Sequence, residues 1–154
     1  MADRASDADI ERLYRSQRLA MVRLALLLVD DRETAEDVAQ DAFAALHRRW
    51  QSLHTEDAAI GYLRTCVVNG ARSVLRRRRT VRRQPQPRED LVYADGADGH
   101  VLLAEEHREV IVLRYWSELS EPQIAATLGI SVGSVKSSAS RGRDAIAAIL
   151  GGAA

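Results

Sequence analysis

The chain has 154 residues, 22 basic against 22 acidic side chains, 5% aromatics and one cysteine. That length allows one or two small domains, the lone Cys66 excludes an internal disulfide and a cysteine-based zinc site, and no apolar run approaches the roughly 20 residues of a membrane span. The acidic, polar start MADRASDAD is unlike a signal peptide, and with a single cysteine a reducing, cytoplasmic setting is expected.

Few glycines and prolines among many alanines, leucines and arginines favour an all-α fold of two small helical domains. The first helix is predicted over about Asp7 to Val29, where Ile10, Leu13, Tyr14, Met21, Leu24, Ala25 and Leu28 keep a helical period and Asp30 and Asp31 end it. The second begins near Thr34, where Thr34-x-x-Asp37 can form a capping box. Its buried stripe is Ala35, Val38, Ala39, Ala42, Phe43, Leu46 and Trp50. The third runs from about Glu56 to Arg79, with Ala59, Leu63, Cys66, Val67, Gly70 and Val74 inward. Three such helices can bury one shared core over residues 1–80. Residues 81–100 keep no sustained period and are broken by Pro85, Pro87, Gly96 and Gly99, so they read as a flexible linker. A second helical domain is expected over 101–154, with Val110, Ile111, Leu113 and Leu119 in its core. Ser120-x-x-Gln123 with Pro122 marks a helix start, and Ser131 caps a last helix reaching about Leu150.

The balanced total charge hides blocks of one sign. Residues 61–88 carry nine basic and no acidic side chains, and residues 89–106 carry six acidic and no basic ones. Such blocks mark partner surfaces or tails. The arginines Arg64, Arg72, Arg76, Arg77, Arg78, Arg79, Arg82 and Arg83 form an electrostatic footprint for phosphate. Glu33, Glu36, Asp37, Gln40 and Asp41 lie on the polar side of the second helix, as a solvated face or as a surface for a basic partner.

The stretch LSEPQIAATLGISVGSVKSSASRGR, Leu119 to Arg143, has the pattern of a helix-turn-helix. Counting Glu121 as first, Ala125 is fifth, where a small side chain lets two helices cross. Gly129 is ninth, where the turn needs positive φ. Ile124, Leu128, Ile130 and Val135 fall on inward positions. Such a unit holds its second helix out for the major groove. With Val135, Ala139 and Ile146 inward, Ser134, Lys136, Ser137, Ser140, Arg141 and Arg143 are left toward DNA or solvent. Arginine and lysine are the usual readers of guanine.

Catalysis, a cofactor and a metal site are not expected. His47, His54, His100 and His107 lack the i, i+4 spacing of a helical metal pair, and Cys66 and Ser73 have no convincing base nearby in sequence.

ETAEDVAQDAFAALHRRW (Glu33 to Trp50) resembles the region 2 signature of bacterial sigma factors. RTCVVNGARSVLRRRR (Arg64 to Arg79) resembles the helix that follows it. REVIVLRYWSELSEPQIAATLGISVGSVKSSASRGRDAI (Arg108 to Ile146) resembles sigma region 4. The three matches stand in the right order and cover most of the chain outside the linker. Without the extra domains of primary sigma factors, the chain resembles a group IV, extracytoplasmic-function sigma factor, of the sigma-E-like kind of high-GC bacteria.

The resemblance implies a non-catalytic subunit that binds core RNA polymerase and directs initiation at a restricted set of promoters. Glu36, Asp37, Gln40 and Asp41 would dock on the β′ clamp helices. Tyr62, Asn69, Arg72, Arg76 and Arg77, with the loop at about Gln51 to Ile60, would read the minus-ten element and hold a base turned out of the stack. Trp50 and Leu63 could join them as a stacking or wedging surface, or belong to the core. Lys136, Ser137, Ser140, Arg141 and Arg143 would contact the minus-thirty-five element. Serine at 138 and 140, where the family often has arginine and a larger residue, implies fewer phosphate contacts or another base preference. The helix ahead of the Arg108-Glu109 pair is reduced to HVLLAEEH, His100 to His107, short or merged with the next, which bears on the groove for the β flap. Implied partners are core polymerase, promoter DNA, an anti-sigma factor and, through a terminal Ala153-Ala154 that resembles a degradation tail, the ClpXP protease. No membrane partner is implied. Two other readings are a stand-alone helix-turn-helix regulator that binds DNA without polymerase, and an inactive sigma-like interaction protein.

Overall fold

Asp30 stops the first helix. In the computed structural model, which describes the backbone of residues 2–82, 91–93 and 101–152 and the side chains of 7–81 and 103–151, α1 spans Ala2–Val29. Asp30 then adopts a left-handed φ of 63°. Asp31 follows in extended conformation, and its carboxylate accepts the Thr34 amide at 2.8 Å. Asp31 is therefore the cap of α2 (Arg32–Arg49), and the capping box expected at Thr34 is not what starts it. The physical reason is the abrupt turn at Asp30. It makes Asp31 the last non-helical residue and leaves Thr34 inside the first turn, where its amide needs an acceptor.

A single 3-10 turn, Trp50–Ser52, leaves α2. The Thr55 hydroxyl then accepts the Ala58 amide at 3.1 Å, and α3 runs over Glu56–Arg82. The loop expected at about Gln51 to Ile60 is correspondingly shorter, because its second half already belongs to α3.

The chain divides into two compact units, Met1–Arg83 and Gln84–Ala154. The first is the three-helix core. Leu24, Leu46, Leu63, Val67 and Val68 are fully buried, with Leu13, Met21, Leu28, Val38 and Phe43 around them. Each such aliphatic side chain contributes about 1.5–3 kcal/mol by leaving water. Val68 and Ala71 widen the inward face of α3 beyond the predicted stripe. Tyr14, expected inward, is 39% exposed but stands edge-on to Phe43 with ring centroids 4.9 Å apart. At Gly70 a Cβ would meet Val38 Cγ1 at 3.1 Å, so α2 and α3 cross where one of them has no side chain.

The second unit begins with a short antiparallel ladder of β1 (Leu91–Tyr93) and β2 (Val101–Leu103), in which Leu91 faces Leu103. Among the described residues these are the only strands in an otherwise helical chain. Three-residue strands are too short to leave a period in the sequence. The rest of the expected linker, 83–90 and 94–100, lies outside the described residues, as do Ala153 and Ala154.

Among the described residues no separate helix stands between β2 and α4 (Glu105–Ile111), which begins directly after the strand. It opens into a wide π turn, Val112–Trp116. Glu118 at φ 55° then turns the chain into α5 (Glu121–Leu128). Both halves of the Ser120–Gln123 capping box are made, with Pro122 in the first turn. Gly129 takes φ 68° as the turn requires, Ser131 accepts the Ser134 amide at 3.1 Å, and α6 runs over Val132–Gly152.

Val110, Leu113, Leu119, Ile124, Leu128, Val135 and Ala139 form the second core, with His107 and Glu109 buried beside them. Ile130, expected inward, is 37% exposed. The left-handed residue before it ends the period of α5, so spacing from Leu128 no longer sets its direction. At Gly142 a Cβ would lie 2.7 Å from Ile111 Cγ1 and 3.6 Å from His107 Cβ, so α6 lies directly against α4. Among the described residues no helix is long and apolar enough to cross a membrane.

Candidate nucleic-acid and protein interfaces

On α3, Tyr62, Asn69, Arg72 and Arg76 are spaced by seven, three and four residues. That spacing gathers them on one face, away from the buried Leu63, Val67 and Ala71. Asn69 and Arg76 are exposed, while Tyr62 and Arg72 are half-buried. The Arg49 guanidinium lies 5.2 Å from the Tyr62 ring centroid, a cation–π contact between the end of α2 and the start of α3. Cys66 sits beside them. Burial pushes its thiol pKa up, opposed by a hydrogen bond with Tyr62 and by the charges of Arg49 and Arg48. Burial lowers the pKa of Arg64, with Asp57 opposing.

Not every basic residue of α3 belongs to that face. Arg78 donates to the Val29 carbonyl at 3.0 Å and to the Thr34 hydroxyl at 3.2 Å. It therefore leaves the group expected to meet phosphate, because its position continues the inward series Val67, Ala71, Val74. Leu63 is fully buried and offers no wedge, and Trp50 is half-buried. Arg77 falls on the flank toward α2, where it lines a groove with Asp37, Gln40 and Asp41 over Val38, Gly70 and Val74.

The polar residues of α2 thus divide. Asp37, Gln40 and Asp41 are exposed along that groove. Glu36 is set apart and accepts from Arg32 at 3.2 Å, an exposed i, i+4 pair. The lowered pKa of Asp31 has its largest cause in its hydrogen bonds from Thr34, with a smaller contribution from the charge of Arg78.

On α6, Val135, Ala139, Gly142 and Ala145 are buried, and Lys136, Ser137, Ser140, Arg141 and Arg143 are exposed. Ser138 is half-buried, so its small side chain lies nearer the core than the groove-facing positions. The Lys136 ammonium lies 3.9 Å from the Glu121 carboxylate at the start of α5. Arg143 donates to the Tyr115 hydroxyl at 3.3 Å. Tyr115 and Trp116 are 57% and 46% exposed. Sequence reasoning passed over Tyr115 and Glu121. The available signal was two adjacent aromatics just before a helix start, in a chain otherwise poor in aromatics. Among the described residues no cluster of three or more His, Cys, Asp or Glu side chains could hold a metal ion.

Two family descriptions match the chain: Sigma-70 region 2 over residues 13–81 and Sigma-70, region 4 over residues 101–146. The RNA polymerase sigma-E factor of Streptomyces coelicolor is 34% identical over 143 residues, covering 86% of this chain and 81% of the relative. The ECF RNA polymerase sigma factor SigM of Mycobacterium tuberculosis is 29% identical over 152 residues, covering 92% and 76%. Among solved structures, the sigma factor RpoE of Bartonella quintana, in complex with the anti-sigma factor NepR, superposes with a TM-score of 0.69 at 23% identity over 88% of this chain and 92% of that one.

Proposed function

This chain belongs to the sigma-70 family of RNA polymerase sigma factors, in its extracytoplasmic-function group, and from that premise we propose how its two units divide the work of initiation. It acts as a specificity subunit that directs promoter-specific transcription. The single observation that carries the reading is the presence, in one chain, of a region 2 unit with an arginine-rich outer helix face and a region 4 unit with an exposed helix-turn-helix.

In this reading the domains are region 2 at 1–80 and region 4 at 101–154, joined by 81–100. Glu36, Asp37, Gln40 and Asp41 meet the β′ clamp helices, where acidic side chains speed association with a basic partner. Asn69, Arg72 and Arg76, with Tyr62 at the near end, meet the minus-ten strand. Arginine supplies phosphate contacts, and Asn69 can hydrogen-bond a base edge. Arg77 serves both surfaces, because it lies on the flank between them. Lys136, Ser137, Ser140, Arg141 and Arg143 enter the major groove of the minus-thirty-five element, with Lys136 the reader of guanine. The β flap holds the second unit. Each DNA contact alone is weak, and tethering through the polymerase raises the effective concentration of the other.

The chain contributes no chemistry of its own and works in the cytoplasm, at the nucleoid. An anti-sigma protein is the expected inhibitor, as NepR is a partner of the Bartonella relative. Run-off transcription with purified core polymerase tests the reading. Initiation at defined promoters only when the chain is added supports it. Tight promoter binding without polymerase would instead favour a stand-alone regulator, and complex formation without transcripts an inactive relative.

A further inference from the structure

Arg143 stands on the border of the exposed face of α6, one residue beyond the buried Gly142. From such a position a long, rotamer-rich side chain would sweep freely through solvent. It does not, because its Nη1 donates to the Tyr115 hydroxyl at 3.3 Å, across 28 residues of sequence. Tyr115 comes from the wide turn at the end of α4, and at 57% exposure it is not there to fill the core.

We infer that Tyr115 is a positioning residue for DNA binding: its phenol oxygen holds the Arg143 guanidinium at the rim of the recognition helix, where the sugar-phosphate wall of the major groove passes. The inference rests on the reading of α6 as the DNA-reading helix. A guanidinium has five donors in a fixed fork. One directed to Tyr115 leaves the others for phosphate oxygens, and fixing the fork in advance removes ordering entropy that binding would otherwise have to overcome. The extra backbone width of Val112–Trp116 brings the Tyr115 hydroxyl within reach of α6 without inserting the ring between α4 and α6, which are already in contact at Gly142.

The test uses holoenzyme reconstituted from core polymerase and the full chain, on duplexes that it selects from a randomised library. Dissociation constants are measured between about 50 and 200 mM salt for the wild type, Tyr115→Phe, Arg143→Ala and the double variant, with urea midpoints for each chain. Tyr115→Phe is expected to weaken binding roughly two- to tenfold, the value of one hydrogen bond, at an unchanged midpoint. Arg143→Ala weakens it further and flattens the salt slope by about 0.9. Adding Tyr115→Phe to Arg143→Ala then changes nothing. Wild-type affinity in Tyr115→Phe overturns the inference, and so does a loss that is equally large with and without Arg143. A holoenzyme that selects no sequence at all removes the promoter-recognition reading and this inference together, whereas normal selection with additive variants removes the inference alone.

Discussion

Arg78 of α3 donates to the carbonyl of Val29, the last residue of α1, and in the same stroke to the hydroxyl of Thr34 in the first turn of α2. One guanidinium thus satisfies a helix end whose carbonyls lack internal partners and ties it to the start of the next helix. Arg78→Ala should lower the stability of the first unit by about 1–3 kcal/mol. Arg78→Lys should fall between, because an ammonium lacks the planar fork that reaches both acceptors. Arg76→Ala, on the outer face, should stay within about 0.5 kcal/mol of the wild type. Urea denaturation of the three variants checks this, and equal midpoints for Arg78→Ala and Arg76→Ala would remove the structural role.

Asp31 predicts an acid limit. Its pKa is lowered in the folded chain by the hydrogen bonds from Thr34. A depressed carboxylate contributes stability that is present above its unfolded value, near 3.9, and lost as pH falls through the folded value. Asp31→Asn keeps an acceptor for the cap but cannot titrate. The wild-type chain should therefore lose stability relative to Asp31→Asn as pH drops below about 4, and the two curves should run parallel above about 6. Denaturation midpoints against pH read the difference.

Gly142 is where α6 lies against α4. A Cβ there would come within 2.7 Å of Ile111 Cγ1, an atom of a stiff β-branched side chain. Gly142→Ala gains up to about 1 kcal/mol of helix propensity, yet overpacking should outweigh it, for a net loss of about 1–2 kcal/mol. Shortening the neighbour as well, in Ile111→Val with Gly142→Ala, leaves Cγ1 in place and should restore little. Ile111→Ala with Gly142→Ala should lie closer to Ile111→Ala alone than additivity predicts. Thermal denaturation of the set decides, and a stabilised Gly142→Ala would show that the helices can part.

The two docking surfaces should separate by variant. Asp37→Ala with Asp41→Ala should weaken association with core polymerase severalfold while leaving the urea midpoint unchanged, since both side chains are exposed. Lys136→Ala should cost about 1–3 kcal/mol of discrimination at one base pair and leave polymerase association intact. Pull-down of core polymerase and competition between duplexes read the two effects. Loss of polymerase association in Lys136→Ala, or altered base discrimination in the holoenzyme that Asp37→Ala with Asp41→Ala still forms, would contradict the division of labour.

The cores of both units were legible, because Ala35, Val38, Ala42 and Leu46 on α2, and Ile124, Leu128 and Val135 across the turn, obey helical spacing and bury as that spacing demands. So was the Ser120–Gln123 cap, whose two hydrogen bonds are local. What escaped depended on position rather than type. Arg78 reads as one more arginine in a charged run until its place after Val67, Ala71 and Val74 is counted. Ile130 reads as inward only if the period continues through Gly129, which it does not. Asp31 was hidden by a plausible Thr34-x-x-Asp37 pattern three residues on. Tyr115 and Arg143 meet across 28 residues, a separation for which a single sequence holds no pairing signal.

Arg77 sharing one groove with Asp37, Gln40 and Asp41 has a thermodynamic consequence. A protein ligand that brings a cation to those carboxylates relieves the attraction they exert on the arginine and leaves it a stronger draw for an anion. The reverse holds with the same magnitude, because coupling between two equilibria is reciprocal. In the free chain the groove sets the Asp37 and Asp41 carboxylates alongside Arg77 and Arg78. Occupied from one side, it becomes receptive from the other.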